Sequence, residues 1–169
     1  GVNGTELWKT DGTEAGTVMV KDLNPGTGSS FPKDFMAVNG FVYFTTNDVA
    51  NGVRLWRTDG TEGGTELVLV HTDVPGLLEW MTFAALGDRI FFRGYDAVAG
   101  RELWSTDGTV ADTELFMDIQ PGAANSGFQD PKAIDGKLYF SASDGTNGAE
   151  PWICDGTLAG THMLADIAI

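Results

Sequence analysis

The chain has 169 residues, 42% of them hydrophobic and 11% aromatic, which suits a packed core and excludes a disordered chain. Its 24 acidic residues against 10 basic ones give a formal charge of −14, which repels nucleic-acid phosphates and anionic membranes alike. The one cysteine, Cys154, allows no internal disulfide and no Cys-based metal cluster, and no apolar run of about 18 residues is present to insert in a membrane.

Taken in order, the sequence predicts short β-strands and no long amphipathic helix. Two runs open the chain, at 6–8 and 18–20. Then a pattern of four begins. Strand 34–38 turns through Asn39-Gly40 into strand 41–46, rich in β-branched and aromatic residues. Strand 53–57 follows a loop, and strand 65–70 follows Asp59-Gly60-Thr61. The pattern returns at 83–86, 89–93, 101–104 and 113–117, with Gly87-Asp88 as the first turn. It returns again at 132–134, 137–141, 152–153 and 161–165, with Asp135-Gly136 as the first turn. Neighbours such as Tyr43 and Phe44, or Leu55 and Trp56, leave these strands without a polar face. That predicts sheets covered on both sides.

The pattern is an internal repeat. Glu6-Leu7-Trp8-Lys9-Thr10-Asp11-Gly12-Thr13 recurs as Arg54-Leu55-Trp56-Arg57-Thr58-Asp59-Gly60-Thr61 and as Glu102-Leu103-Trp104-Ser105-Thr106-Asp107-Gly108-Thr109. A last copy reads Glu150-Pro151-Trp152-Ile153-Cys154-Asp155-Gly156-Thr157, and the four tryptophans stand 48 residues apart. Four antiparallel strands per repeat of this length predict an all-β fold, a β-propeller of 48-residue blades; a solenoid of hairpins is the second architecture. The divisions are a half blade at 1–23 and blades at 24–71, 72–119 and 120–169. Three and a half blades would leave apolar sheet faces bare, so the expectation is a larger propeller, completed by further blades of a longer chain or by another copy.

These copies, with Ala15-Gly16-Thr17, Gly63-Gly64-Thr65 and Ala159-Gly160-Thr161 downstream, resemble the ELWxxDGT repeat proteins. Asp22-Leu23-Asn24-Pro25-Gly26 and Asp118-Ile119-Gln120-Pro121-Gly122 are similar to that family's Asp-Ile-x-Pro-Gly segment. The resemblance implies propeller-like modules of large secreted or surface-attached bacterial proteins, with no general enzymatic activity. The chain departs from the pattern at Arg54, Pro151 and Asp112, and in His71-Thr72-Asp73-Val74-Pro75-Gly76.

Asp11, Asp59, Asp107 and Asp155 each precede a glycine, which predicts structural Asx-turns, similar to the Asp-box turns of sialidase-like propellers. Asp48, Asp96 and Asp144, also 48 apart, fall in the loops between second and third strands. They would close Asx-turns or set one carboxylate per blade on a common rim, where Ca²⁺ is the cation to expect; no other cofactor is expected. The motif tryptophans are expected to pack between blades. Trp80 has no counterpart; core packing is the first role to expect of it, and if any aromatic residue contacts a ligand it is this one, with Glu79, Asn125 and Ser126 as the other candidate loop residues. The loops that differ most between copies are 24–32, 72–80 and 120–130, where specificity is expected. His71 and His162 pair with nothing, no G-x-S-x-G is present, and the arginines do not recur in register, so catalysis is not expected. The sequence points to a non-catalytic extracellular binding or scaffold module, secreted or at a bacterial surface, whose partner is a surface protein or a glycan. A lectin-like propeller and part of a sialidase-like glycoside hydrolase are the alternatives.

Overall fold

The computed structural model describes residues 2–48, 52–70, 83–109 and 111–167. The chain forms two compact units, Gly1–Glu79 and Trp80–Ile169. Among the described residues both are built from antiparallel strands without a helix.

In the first unit, β1 (Leu7–Lys9) and β2 (Val18–Lys21) pair as a two-stranded sheet. A four-stranded sheet follows, in chain order: β3 (Lys33–Val38), β4 (Phe41–Asp48), β5 (Gly52–Thr58) and β6 (Glu66–Val70). In the second unit, β7 (Phe83–Leu86), β8 (Arg89–Asp96), β9 (Gly100–Thr106) and β10 (Glu114–Met117) form one four-stranded sheet. β11 (Gln129–Ile134), β12 (Lys137–Ser143), β13 (Ala149–Cys154) and β14 (His162–Met163) form the next. The expected strands are all present, and the second strands run further than expected, to Asp48, Asp96 and Ser143.

Turn chemistry sets this order. Asn39 and Gly40 have φ of 50° and 79°, and Asp135 and Gly136 have 49° and 70°, as a type I′ turn demands. Gly87 takes the positive φ at the first turn position, 60°, while Asp88 does not. That is the type II′ solution and explains why the order Gly-Asp serves there. The first strands begin with a register shift, between Lys33 and Met36 and between Gln129 and Lys132. Asp34 and Asp130 sit in these bulges at φ of 56° and 53°. Pro131 is tolerated beside the second bulge because a ladder N–H is not required there.

Each unit has its core between two sheets. Leu7, Val20 and Leu23 pack with Phe44, and Trp56 closes over them. In the second unit Ala84, Phe91, Leu103 and Ile119 meet Phe128, Leu138, Phe140, Trp152 and Cys154. Phe91 and Phe116 contact edge to face, with centroids 5.0 Å apart. Phe44, Phe91 and Leu103, on the facing sides of these sheets, are fully buried for this reason. The fold is therefore all-β, a succession of like antiparallel sheets.

Candidate functional site

The repeated motif is the place where chemistry would be sought, and its polar atoms can be followed one by one. In the turn, Asp11 Oδ1 accepts the Thr13 N–H at 2.9 Å and the Thr13 hydroxyl at 2.7 Å. Thr13 Oγ1 in turn accepts the Gly16 N–H, and the Thr17 hydroxyl donates to the Thr13 carbonyl. The same bonds recur from Asp59, Asp107 and Asp155. The threonine hydroxyl first, then its N–H, holds all four carboxyls below the ordinary aspartate range. The expected Asx-turns are thus present in every copy. Cys154 substitutes for the preceding threonine, and its Sγ accepts the Gly156 N–H at 3.2 Å.

A Cβ on Gly16, Gly64 or Gly160 would collide with the carboxyl of Asp11, Asp59 or Asp155. The third copy carries Asp112 at that place. There the bond to the threonine hydroxyl lengthens, from 2.9 Å at Gly16 to 3.3 Å at Asp112.

The motif's glutamate has a task that its local sequence does not reveal. Glu6 is buried, and its Oε2 accepts the N–H of Leu23 at 2.8 Å and the Ser30 hydroxyl at 2.6 Å; its Oε1 accepts the Ser30 N–H at 3.0 Å. Glu102 repeats this: Oε2 accepts the Ile119 N–H at 2.8 Å and Oε1 the Ser126 N–H at 2.8 Å. Glu150 accepts the Ile167 N–H at 2.8 Å. Each carboxylate ties down the chain that leaves its own sheet. Ser30 and Ser126 complete the joint, because their carbonyls accept the N–H of Asn47 and Ser143 in the next sheet. Burial pushes the Glu102 carboxyl up, against the pull of the Ile119 and Ser126 N–H groups. The signal was legible in the constant spacing of 17 residues from Glu to Leu23, Ile119 or Ile167.

Glycines make room for the same joint. Gly4, Gly52, Gly100 and Gly148 stand 48 apart, all with positive φ between 63° and 78°. A Cβ on Gly4 would strike the Gly28 carbonyl oxygen, and one on Gly100 the Ala124 carbonyl oxygen.

The tryptophans divide. Trp56 and Trp152 pack between sheets as expected, and Trp152 donates its Nε1–H to the Ala142 carbonyl at 3.0 Å. Trp104 lies over Gly94, where a side chain would not fit. Trp8 departs from the expectation: it is 57% exposed, against 6% for Trp152. It borders a cleft of about 220 Å³ with Lys9, Phe35, Val42 and Asp59.

Of the three loop aspartates that stand 48 residues apart, Asp96 Oδ1 accepts the N–H of Val98 and Ala99, and Asp144 Oδ1 those of Thr146 and Asn147. These bonds hold both groups below the ordinary range, the Ala99 and Asn147 N–H first. Asp48 is buried at the end of β4. Among the described residues no three His, Cys, Asp or Glu side chains gather to hold a metal ion. Asn125 is exposed and its Oδ1 accepts the Arg101 N–H at 2.8 Å, while Ser126 is buried in the joint. Glu79 and Trp80, with the rest of loop 72–80, lie outside the described residues.

No protein-family model matches the chain, and no curated protein matches it in sequence.

Proposed function

We propose that the chain is a non-catalytic binding or scaffold module, its sheets the blades of a β-propeller of the ELWxxDGT kind. The remaining blades come from the same longer protein or from another copy. The module works outside the cell, secreted or on a bacterial surface, and takes part in adhesion or in matrix or filament assembly. One observation carries the reading: the polar groups of the repeated motif are used within turns and joints, which leaves recognition to the variable loops 24–32, 72–80 and 120–130. The test is an array of glycans and extracellular proteins probed with the chain, beside a panel of glycosides. Capture that is lost when loop 24–32 or 120–130 is changed, with no turnover, supports it. Turnover of a glycoside overturns it.

A lectin-like reading is the second. It is favoured by the exposed indole of Trp8 beside Phe35, since sugar rings stack on exposed aromatic faces. Trp8→Ala abolishes glycan capture if this reading holds and leaves it intact if it does not.

A further inference from the structure

Three of the four sheets flank the motif strand in the same way. β5, β9 and β13 each have the preceding strand on one side and the following strand on the other. Among the described residues β1, the same strand in the first copy, pairs with β2 alone. Its other edge is the kind of template that strand addition uses, a row of backbone N–H and C=O groups with no strand beside it. The side chains there are open as well: Trp8 is 57% exposed and Phe35 56%.

The complete sheets show what fits such an edge. Phe44, Phe92 and Phe140 lie directly opposite Trp56, Trp104 and Trp152. The Phe140 and Trp152 rings stack with centroids 6.3 Å apart. Two residues beyond the phenylalanine, the neighbour is small. Thr46 accepts the Trp56 Nε1–H at 3.0 Å through its hydroxyl, and Ala142 accepts that of Trp152 at 3.0 Å through its carbonyl. A Cβ on Gly94 would strike the Trp104 ring. One residue before the phenylalanine stands another aromatic, Tyr43, Phe91 or Tyr139, which points to the opposite face. In the second unit that residue, Phe91, shares a core with Leu138. Val42 is the counterpart of Leu138 two repeats earlier, and it lines the cleft beside β1 with Leu7, Trp8 and Phe35. The cleft is thus a seat for an aromatic side chain of this class. It is continuous with the interface of Leu7, Val20 and Phe44 that already holds β1 and β2 on the next sheet.

We propose that the open edge of β1 binds a β-hairpin of the repeat's own kind, supplied from outside these 169 residues, whose docking strand reads aromatic, phenylalanine, any residue, small residue. The phenylalanine covers Trp8, and the small residue leaves room for the indole. The first aromatic enters the cleft of Leu7, Phe35 and Val42. A second copy of this chain is not the donor. Its own strands of this type, β4, β8 and β12, each lie between two neighbours in a sheet, and none can be lent without breaking that sheet. The formal charge of −14 favours a hairpin without an acidic excess.

The inference rests on the blade reading and deepens it. The probe is a synthetic hairpin of residues 129–143, which carries Tyr139, Phe140 and Ala142 and balances Asp130 and Asp135 with Lys132 and Lys137. Titrated into the whole chain, it should bind saturably by calorimetry. The β1 amides should gain protection from exchange, and the Trp8 indole signal should shift. Trp8→Ala, at an exposed position, should leave the urea midpoint nearly unchanged and weaken binding by about tenfold or more. Ala142→Leu in the hairpin should weaken it as much, because the longer side chain meets the indole. Val98→Ala, at an exposed residue of the second unit, should have no effect. Absence of saturable binding, or binding indifferent to both Trp8→Ala and Ala142→Leu, overturns the docking edge. A concentration-dependent dimer that Trp8→Ala abolishes makes a second copy the occupant and overturns the assignment. Glycan capture lost in Trp8→Ala, without hairpin binding, gives the edge to a sugar and overturns it too. Failure of the hairpin alone leaves capture by the variable loops standing, whereas glycoside turnover fails the binding-module reading and not this edge.

Discussion

Glu102 and Arg54 occupy the same place in β9 and β5, 48 residues apart, and cannot do the same work. Glu102 gathers the N–H groups of Ile119, Gln120 and Ser126. A guanidinium only donates, so Arg54 cannot accept any such bond. The residues 17 and 24 beyond Arg54 are His71 and Leu78, in a segment outside the described residues. At the corresponding places Glu6 has Leu23 and Ser30, and Glu102 has Ile119 and Ser126. The motif's first residue and the loop after the fourth strand therefore change together. The glutamate is one half of a joint, and its value depends on the loop it holds.

That comparison is broken most severely by Glu102→Ala. It leaves the N–H groups of Ile119 and Gln120 without their acceptor, while the Ser126 N–H keeps the Arg101 carbonyl, at a cost of about 2 kcal/mol or more, measured as a fall in urea midpoint. Arg54→Glu restores the motif without the matching loop, and should destabilise the chain rather than help it. A gain in urea midpoint from Arg54→Glu would sever the motif from the loop.

The turns allow a gentler version of the same comparison. Gly160→Ala drives a Cβ into the Asp155 carboxyl and should cost about 1–3 kcal/mol. Asp112→Gly gives the third turn the residue that the others have, and should shorten the Thr109 bond and raise the thermal midpoint slightly.

Much of this was legible in sequence. The strands, the Asn-Gly and Asp-Gly hairpins and the Asp-Gly-Thr turns are local, and local chemistry fixes them. The joint is not local. Glu6 finds Ser30 across 24 residues, and neither is unusual when read alone. Trp8 is exposed in this chain where its motif predicts packing, because burial depends on what covers a residue, which its own motif does not state.

Acidification should separate turn from joint. The turn aspartates have folded values below the ordinary 3.8, so the stability they contribute is present above that pH and is lost as pH falls through the lowered values. Glu102 is raised by burial, so its contribution has the opposite sign and declines as pH rises through its folded value. Asp155→Asn keeps the turn acceptor without the charge and should flatten the acid limb of the stability curve; an unchanged limb would assign it to other groups.

Removal of divalent cations is the smallest expected effect. Asp96 and Asp144 already satisfy their own turns, so melting with and without EDTA should give the same midpoint. A fall with EDTA that Asp96→Asn or Asp144→Asn abolishes would place Ca²⁺ at the rim.

Amide hydrogen exchange of Glu102→Gln tests the central claim, that the motif glutamate joins one sheet to the next. The amide of Ile119 should exchange slowly in the parent and much faster in the variant, and that of Ser126, which keeps the Arg101 carbonyl, somewhat faster, while Leu23 and Ser30, held by Glu6, stay protected in both. Unchanged protection at Ile119 and Ser126 would contradict the joint.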